Sequence, residues 1–150
     1  MNRMIQPIIK HFQFTDFIMN LVLADLKNED AIKRIRNGEG CSISWIVGHL
    51  ITYRYRIMKL MGHEEENELE SLFGDGPATD GSNYPSIDRM LERWNMQAEE
   101  FYPIMEKVTD EYLLSPMPSK DGAHNEKTIL DTVSFFEWHE SSHLGAIGLI

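Results

Sequence analysis

The chain is short of cysteine and of positive charge. Cys41 is the one cysteine among 150 residues, so neither an intramolecular disulfide nor a cysteine-built zinc cluster is available. Fourteen Lys and Arg face 24 Asp and Glu, a formal net charge of −10. A nucleic-acid binder needs a basic footprint to displace counterions from phosphates, and an anionic membrane surface asks for the same. Neither partner is expected here. No apolar run approaches the ~18 residues that cross a bilayer. The opening from Met1 to Gln13 lacks the apolar core and small-residue cleavage site of a signal peptide. Repeats and low-complexity stretches are also missing. The expectation is a soluble cytoplasmic protein in a reducing compartment, folded as one domain large enough to bury a core.

What is present is helical periodicity. From about Arg3 to Lys27, residues such as Ile5, Ile9, Phe12, Met19 and Leu23 recur at threes and fours, interrupted by the polar Thr15 and Asp16. A second helix is predicted from the N-cap Ser42 to about Met61, closed by Gly62, with Ile43, Ile46, Val47, Leu50 and Ile57 as its stripe. A third starts at Ser86, just after Pro85, and carries Ile87, Met90, Trp94, Phe101 and Met105. Pro103 should kink or end it, because proline lacks the N–H and clashes with the preceding turn. A fourth begins between Asn125 and Thr128 and runs to the end, with Ile129, Val133, Phe136 and Ile147 inward. Strand signals are weak. The stretches Gly62 to Pro85 and Asp110 to His124 read as loops. Four amphipathic helices imply an all-α four-helix bundle. The loop of about 24 residues is long enough to cross a ~30 Å helix, which needs ~10 extended residues, so helices two and three can run parallel.

The fourth helix carries His139-Glu140-Ser141-Ser142-His143. Histidines four apart share a face one turn apart, about 5–6 Å between Cβ atoms, and can hold one metal ion at ~2.0–2.1 Å. The string is also His-Glu-x-x-His, the zincin motif. A zincin needs a third ligand downstream, and the seven residues after His143 contain no His, Asp or Glu; Ala146 and Leu149 stand where the metzincin extension has Gly and His. A di-iron carboxylate bundle needs Glu-x-x-His twice. Glu140 and His143 supply one copy. Ile8, Ile46 and Leu60 precede His11, His49 and His63 by three, and Asp121 precedes His124 inside a Pro/Gly-rich loop. The third ligand is therefore sought upstream. His63 beside Glu64, Glu65 and Glu66, His124 in its loop, and His11 beside the first apolar stripe all read as solvated. His49 differs, being embedded in Trp45-Ile46-Val47-Gly48-His49-Leu50-Ile51. Three neutral imidazoles leave an open position on the ion, the arrangement of a catalytic site.

Two segments, Ser42-Ile43-Ser44-Trp45-Ile46-Val47-Gly48-His49-Leu50 and His139-x-x-x-His143-Leu144-Gly145-Ala146-Ile147, resemble the DinB-like (YfiT-like, damage-inducible) superfamily of metal-dependent proteins. Phe12-Gln13-Phe14-Thr15-Asp16-Phe17 resembles its aromatic-rich opening more loosely. The resemblance covers essentially the whole chain. It implies a four-helix bundle with a crossover, a His49/His139/His143 metal triad occupied by nickel or zinc, and homodimers. It also implies thiol-dependent transfer using small thiols such as bacillithiol or mycothiol; other members are isomerases or have no assigned reaction. Many members carry Gln after the Gly of the second motif, where this chain has Ala146.

Around the triad, Glu140 is turned about 100° from His139 and is the candidate general base or orienting partner. Asp16 either orients an imidazole or lies at the boundary in water. Trp45 and Tyr53, four residues either side of His49, wall a pocket or simply fill core. Cys41 lies at no ligand spacing from a histidine, and the acidic run from Glu64 to Glu68 reads as a solvated loop. The expected function is metal-dependent transfer or hydrolysis. The alternatives are a non-catalytic metal-binding stress or structural homodimer, and a metal-free dimeric bundle.

Overall fold

Three of the four long helices begin where a side chain takes up a free first-turn amide. In a computed structural model that describes residues 2–118 and 127–150, Ser42 accepts from the Trp45 N–H at the head of α3 (Ile43–Leu60), and Ser86 from the Arg89 N–H at the head of α5 (Ile87–Glu106). Thr128 and Asp131 form a reciprocal capping box on α7 (Ile129–Ile147). The remaining long helix, α1 (Ile5–Leu23), has no cap of its own. Its leading amides, Arg3 and Met4, instead donate to the Asp110 carboxylate from far along the chain.

The elements differ from expectation in several places. The first helix stops at Leu23 rather than Lys27, because Ala24 turns extended and Asp25 adopts the left-handed region at φ 60°. A separate turn of helix, α2 (Asn28–Ala31), follows. The segments expected to be loops also hold single helical turns, α4 (Glu70–Phe73) and α6 (Asp110–Leu113). Thr109 caps α6 and two acids occupy its first turn, which suits the positive end of the helix dipole. Pro103 does not end α5, which continues to Glu106. Both Pro103 and Glu99, the residue whose carbonyl loses its partner, lie on the exposed face, where water replaces the missing bond. Asn125, Asp121 and His124 lie outside the described residues.

Core packing sets the helix directions. One apolar cluster joins Ile5, Ile9 and Phe12 from the start of α1, Ile57 and Met58 from the end of α3, Phe101 and Met105 from the end of α5, and Ile129 and Val133 from the start of α7. The other joins the opposite ends: Met19 and Leu23, Ile43 to Ile51, Ile87 to Trp94, and Leu144 with Ile147. So α1 and α7 run one way, and α3 and α5 the other. The long helices pack as a ring in which α3 touches α5 and α7, and α1 touches α5 and α7. Because α3 and α5 are parallel, the chain between them travels the length of the bundle, and α4 packs against α3 on the way. Among the described residues the structure is helical, apart from one isolated bridge between Pro116 and Thr128. No described helix is long and apolar enough to cross a membrane.

Candidate metal centre

Residues four apart on α3 build one wall of the site. Trp45 stacks on His49 with centroids 4.5 Å apart and planes 17° from parallel, and the tilted Tyr53 ring lies 4.5 Å from the imidazole. The antiparallel α7 brings its own pair to the same seam. His139 sits 4.4 Å from the Tyr53 ring and 4.5 Å from His143, and His143 lies 5.2 Å from His49. The Nε2 atoms of His49 and His139 are 3.4 Å apart. One ring nitrogen from each histidine lies within 4.8 Å of the others.

His49 is held in one tautomer. Its Nδ1 lies 2.8 Å from the Phe73 carbonyl and 3.2 Å from that of Gly74, so Nδ1–H donates and Nε2 keeps its lone pair. The carbonyl reaches this position because Gly48 has no side chain. A Cβ there would stand 2.5 Å from the Phe73 ring. Arg56 fastens the same segment to α3 through Glu70 and, at 3.1 Å, Asp75, with its guanidinium over the Tyr53 ring at 4.7 Å.

Burial lowers the pKa of all three imidazoles. His139 is pushed down to about 4, with its His143 and His49 neighbours adding to the effect of burial. All three are therefore neutral at pH 7 and can act as ligands. The donor set also leaves a need that protein atoms do not meet. The Nδ1 of His139 is buried with no hydrogen-bond partner. If its proton sits there, a buried donor is wasted and two Nε2 lone pairs face each other. If the proton sits on Nε2, the Nδ1 lone pair is unmet. A cation between the two Nε2 atoms removes the lone-pair conflict. Their 3.4 Å separation matches the edge of a tetrahedron with arms of ~2.0–2.1 Å, about 3.3–3.4 Å. The residues fit a metal ion.

The family model of the DinB superfamily matches residues 18–147, a span that includes all three histidines and α3, α5 and α7 entire. The chain belongs to the DinB superfamily. No curated protein matches it.

The remaining candidates fall elsewhere in this DinB-superfamily fold. His11 is exposed, 3.3 Å from Glu137. His63 is half-buried beside Glu65 at 3.5 Å; with Glu100 it makes a second, more exposed group of possible ligands. Cys41 is free and half-buried against the core, and Glu64, Glu65, Glu66 and Glu68 are exposed. Glu140 does not face the imidazoles as a free base. It is buried, and both its oxygens are taken by Arg54. Asp16 neither orients an imidazole nor lies in open water; it sits 2.8 Å from Arg54 and accepts from the Tyr102 hydroxyl. Sequence reading passed over Arg54, Arg56 and Phe73. Arg54 had a signal, since it stands at Leu50 plus four and Ile57 minus three, on the core face of its helix. Phe73 had none, because it acts through its backbone carbonyl.

Proposed function

We propose that His49, His139 and His143 together hold one divalent metal ion, zinc or nickel, and that the protein is a metal-dependent enzyme of thiol-linked transfer or hydrolysis. The observation that carries this reading is the convergence of three neutral imidazoles, from two helices about 90 residues apart in sequence, with nitrogens within 4.8 Å of one another. Such an ion, when bound, acts as a Lewis acid that makes a thiolate or hydroxide available near neutral pH. The chain supplies the setting. Phe73 fixes the His49 ring, and Trp45 and Tyr53 flank the imidazoles with aromatic surface. Three imidazoles bring no charge, so the ion keeps its full attraction for an anionic ligand such as a thiolate. A lone unpaired cysteine suits a reducing cytoplasm.

A second reading, a metal-binding stress or structural protein without turnover, is favoured by one observation. Glu140, the acid next to His139 in the chain, has both oxygens hydrogen-bonded to Arg54, which speaks against a role as general base. Both readings include a homodimer. Phe14, Phe17 and Leu21 on α1, with Phe135 and Trp138 on the adjacent α7, point outward and are each more than half exposed. Together they offer roughly 600 Å² of apolar surface, close to one partner's share of a standard interface. The i, i+3, i+7 spacing on α1 beside the i, i+3 pair on α7 suits pairing with the same face of a second copy.

Elemental analysis of untagged protein tests the metal. We expect one equivalent per chain, lost in His49→Ala; a metal-free parent would overturn the site. A screen of small thiols against electrophilic acceptors then separates the two readings. Turnover that disappears on chelation supports the enzyme, and silence across bacillithiol, glutathione and coenzyme A supports the non-catalytic protein.

A further inference from the structure

The residue next to a proposed ligand anchors a buried charge cluster. Arg54 is wholly buried. Its Nε–H donates to Glu140 Oε2 at 2.9 Å and its Nη2–H to Oε1 at 2.7 Å, the two-pronged geometry that fixes a carboxylate in plane. Its Nη1 lies 2.8 Å from Asp16, and its guanidinium stacks on Trp94 at 3.9 Å and Phe101 at 4.9 Å. The Thr15 hydroxyl donates to Glu140 and the Tyr102 hydroxyl to Asp16. One guanidinium thus ties α3 to α7, α1 and α5.

The placement has a consequence for the histidines. Arg54 lies five residues beyond His49 on α3, about 140° around the helix, and Glu140 is one residue beyond His139 on α7, about 100° around. The two helices therefore touch through two polar pairs, His49 with His139 and Arg54 with Glu140, directed to different sides of one seam. Beside the apolar packing of α7, a second polar pair on a different side of the seam restrains its roll more closely than one pair does. Roll matters at the metal centre. A ring nitrogen sits about 6 Å from the helix axis, so a roll of about 10° moves it about 1 Å. Metal–ligand distances tolerate only about 0.2 Å.

We infer that Arg54, acting through Glu140, is the positioning residue of the histidine cluster, setting the rotation of α7 at which His139 and His143 meet His49. The inference rests on the metal reading above. Glu140→Gln tests it by keeping the volume while taking away the charge and one acceptor of the Arg54 fork. The probe is cobalt(II), titrated into metal-free full-length protein, with its visible absorption reporting coordination geometry and far-ultraviolet circular dichroism reporting helix content at the same temperature. We expect the cobalt dissociation constant to rise about 10- to 100-fold, with an altered visible spectrum and undiminished helix content. An unchanged affinity and spectrum, whatever happens to thermal stability, would overturn the inference and leave the metal site standing. A parent that takes up no cobalt would overturn both. Should Glu140→Gln fail to fold, Asp16→Asn carries the test, since it loosens the same guanidinium from the α1 side. We expect about a 3- to 10-fold loss there, and parent-like cobalt binding in that variant would overturn the inference.

Discussion

His139 and Glu140 are neighbours in the chain, yet they belong to two polar regions that solve burial in opposite ways. The histidine cluster is half-open to solvent and carries no charge, because burial holds its rings neutral. The Arg54 cluster is built on ion pairs around a wholly buried guanidinium, which lies between the carboxyl groups of Glu140 and Asp16 and over aromatic rings. Deprotonation is not open to arginine, so its burial requires counter-charges. Imidazole escapes the cost by losing a proton, and the lone pairs that remain are what a metal ion needs. A charge cluster can therefore fix helices while a neutral cluster beside it stays available for a ligand.

The sharpest way to break this contrast is to strip one side of the charged cluster. Arg54→Ala leaves Glu140 buried and Asp16 half-buried without their cation, and we expect a loss of about 3–5 kcal/mol in urea unfolding. Replacing the network by uncharged residues of similar volume, Arg54→Met with Glu140→Leu and Asp16→Asn, should cost far less, because no buried charge is orphaned. If the single and the triple variants lose equal stability, packing rather than charge compensation governs the region.

Metal acts on the other cluster with a smaller effect. At a zinc concentration 100 times its dissociation constant, binding to the native state alone stabilises by about 2.7 kcal/mol. We expect a raised melting temperature on adding zinc to the parent, reversed by chelation, and no zinc response in His139→Ala. Gly48→Ala should follow at about 1–3 kcal/mol, since the new methyl group drives into the Phe73 ring. The same displacement removes the carbonyl from His49 Nδ1, so zinc affinity measured by calorimetry should fall as well. A destabilised variant with parental affinity would mean that the Phe73 contact supports packing only.

The two regions were not equally readable in the sequence. His139 and His143 announced themselves through their spacing of four on an apolar-periodic helix, and His49 through its place inside a hydrophobic run. Their meeting follows from the parallel course of α3 and α5, which the long connection allowed but did not require. Thr15 and Asp16 were visible as polar breaks in the first stripe, and Arg54 as a charge on a core face. Their partnership was not, because charge compensation between α1, α3 and α7 depends on helix rotation, which a periodic pattern fixes only to within a face. The segment around α4 was least legible. It contributes a backbone carbonyl, and every residue has one.

The mildest lever on the contrast is the proton, acting on the histidine cluster. In metal-free protein the folded His139 titrates near 4, whereas the unfolded chain's imidazole titrates near 6.5, and His49 and His143 are shifted in the same direction by burial. Between those values the unfolded state holds more protons than the folded one, so acid pulls the equilibrium toward unfolding. This contribution to stability is complete above about pH 6.5 and is lost as pH falls toward 4. Unfolding curves collected across that window should show stability declining with acid in the parent and a shallower decline in His139→Gln, which has no proton to take up. Zinc should flatten the parent's curve while it remains bound, because a coordinated nitrogen cannot be protonated, and the flattening should vanish at the pH where protons displace the ion. A His139→Gln curve as steep as the parent's would assign the acid sensitivity to carboxylates elsewhere and remove His139 as a titrating member of the neutral cluster.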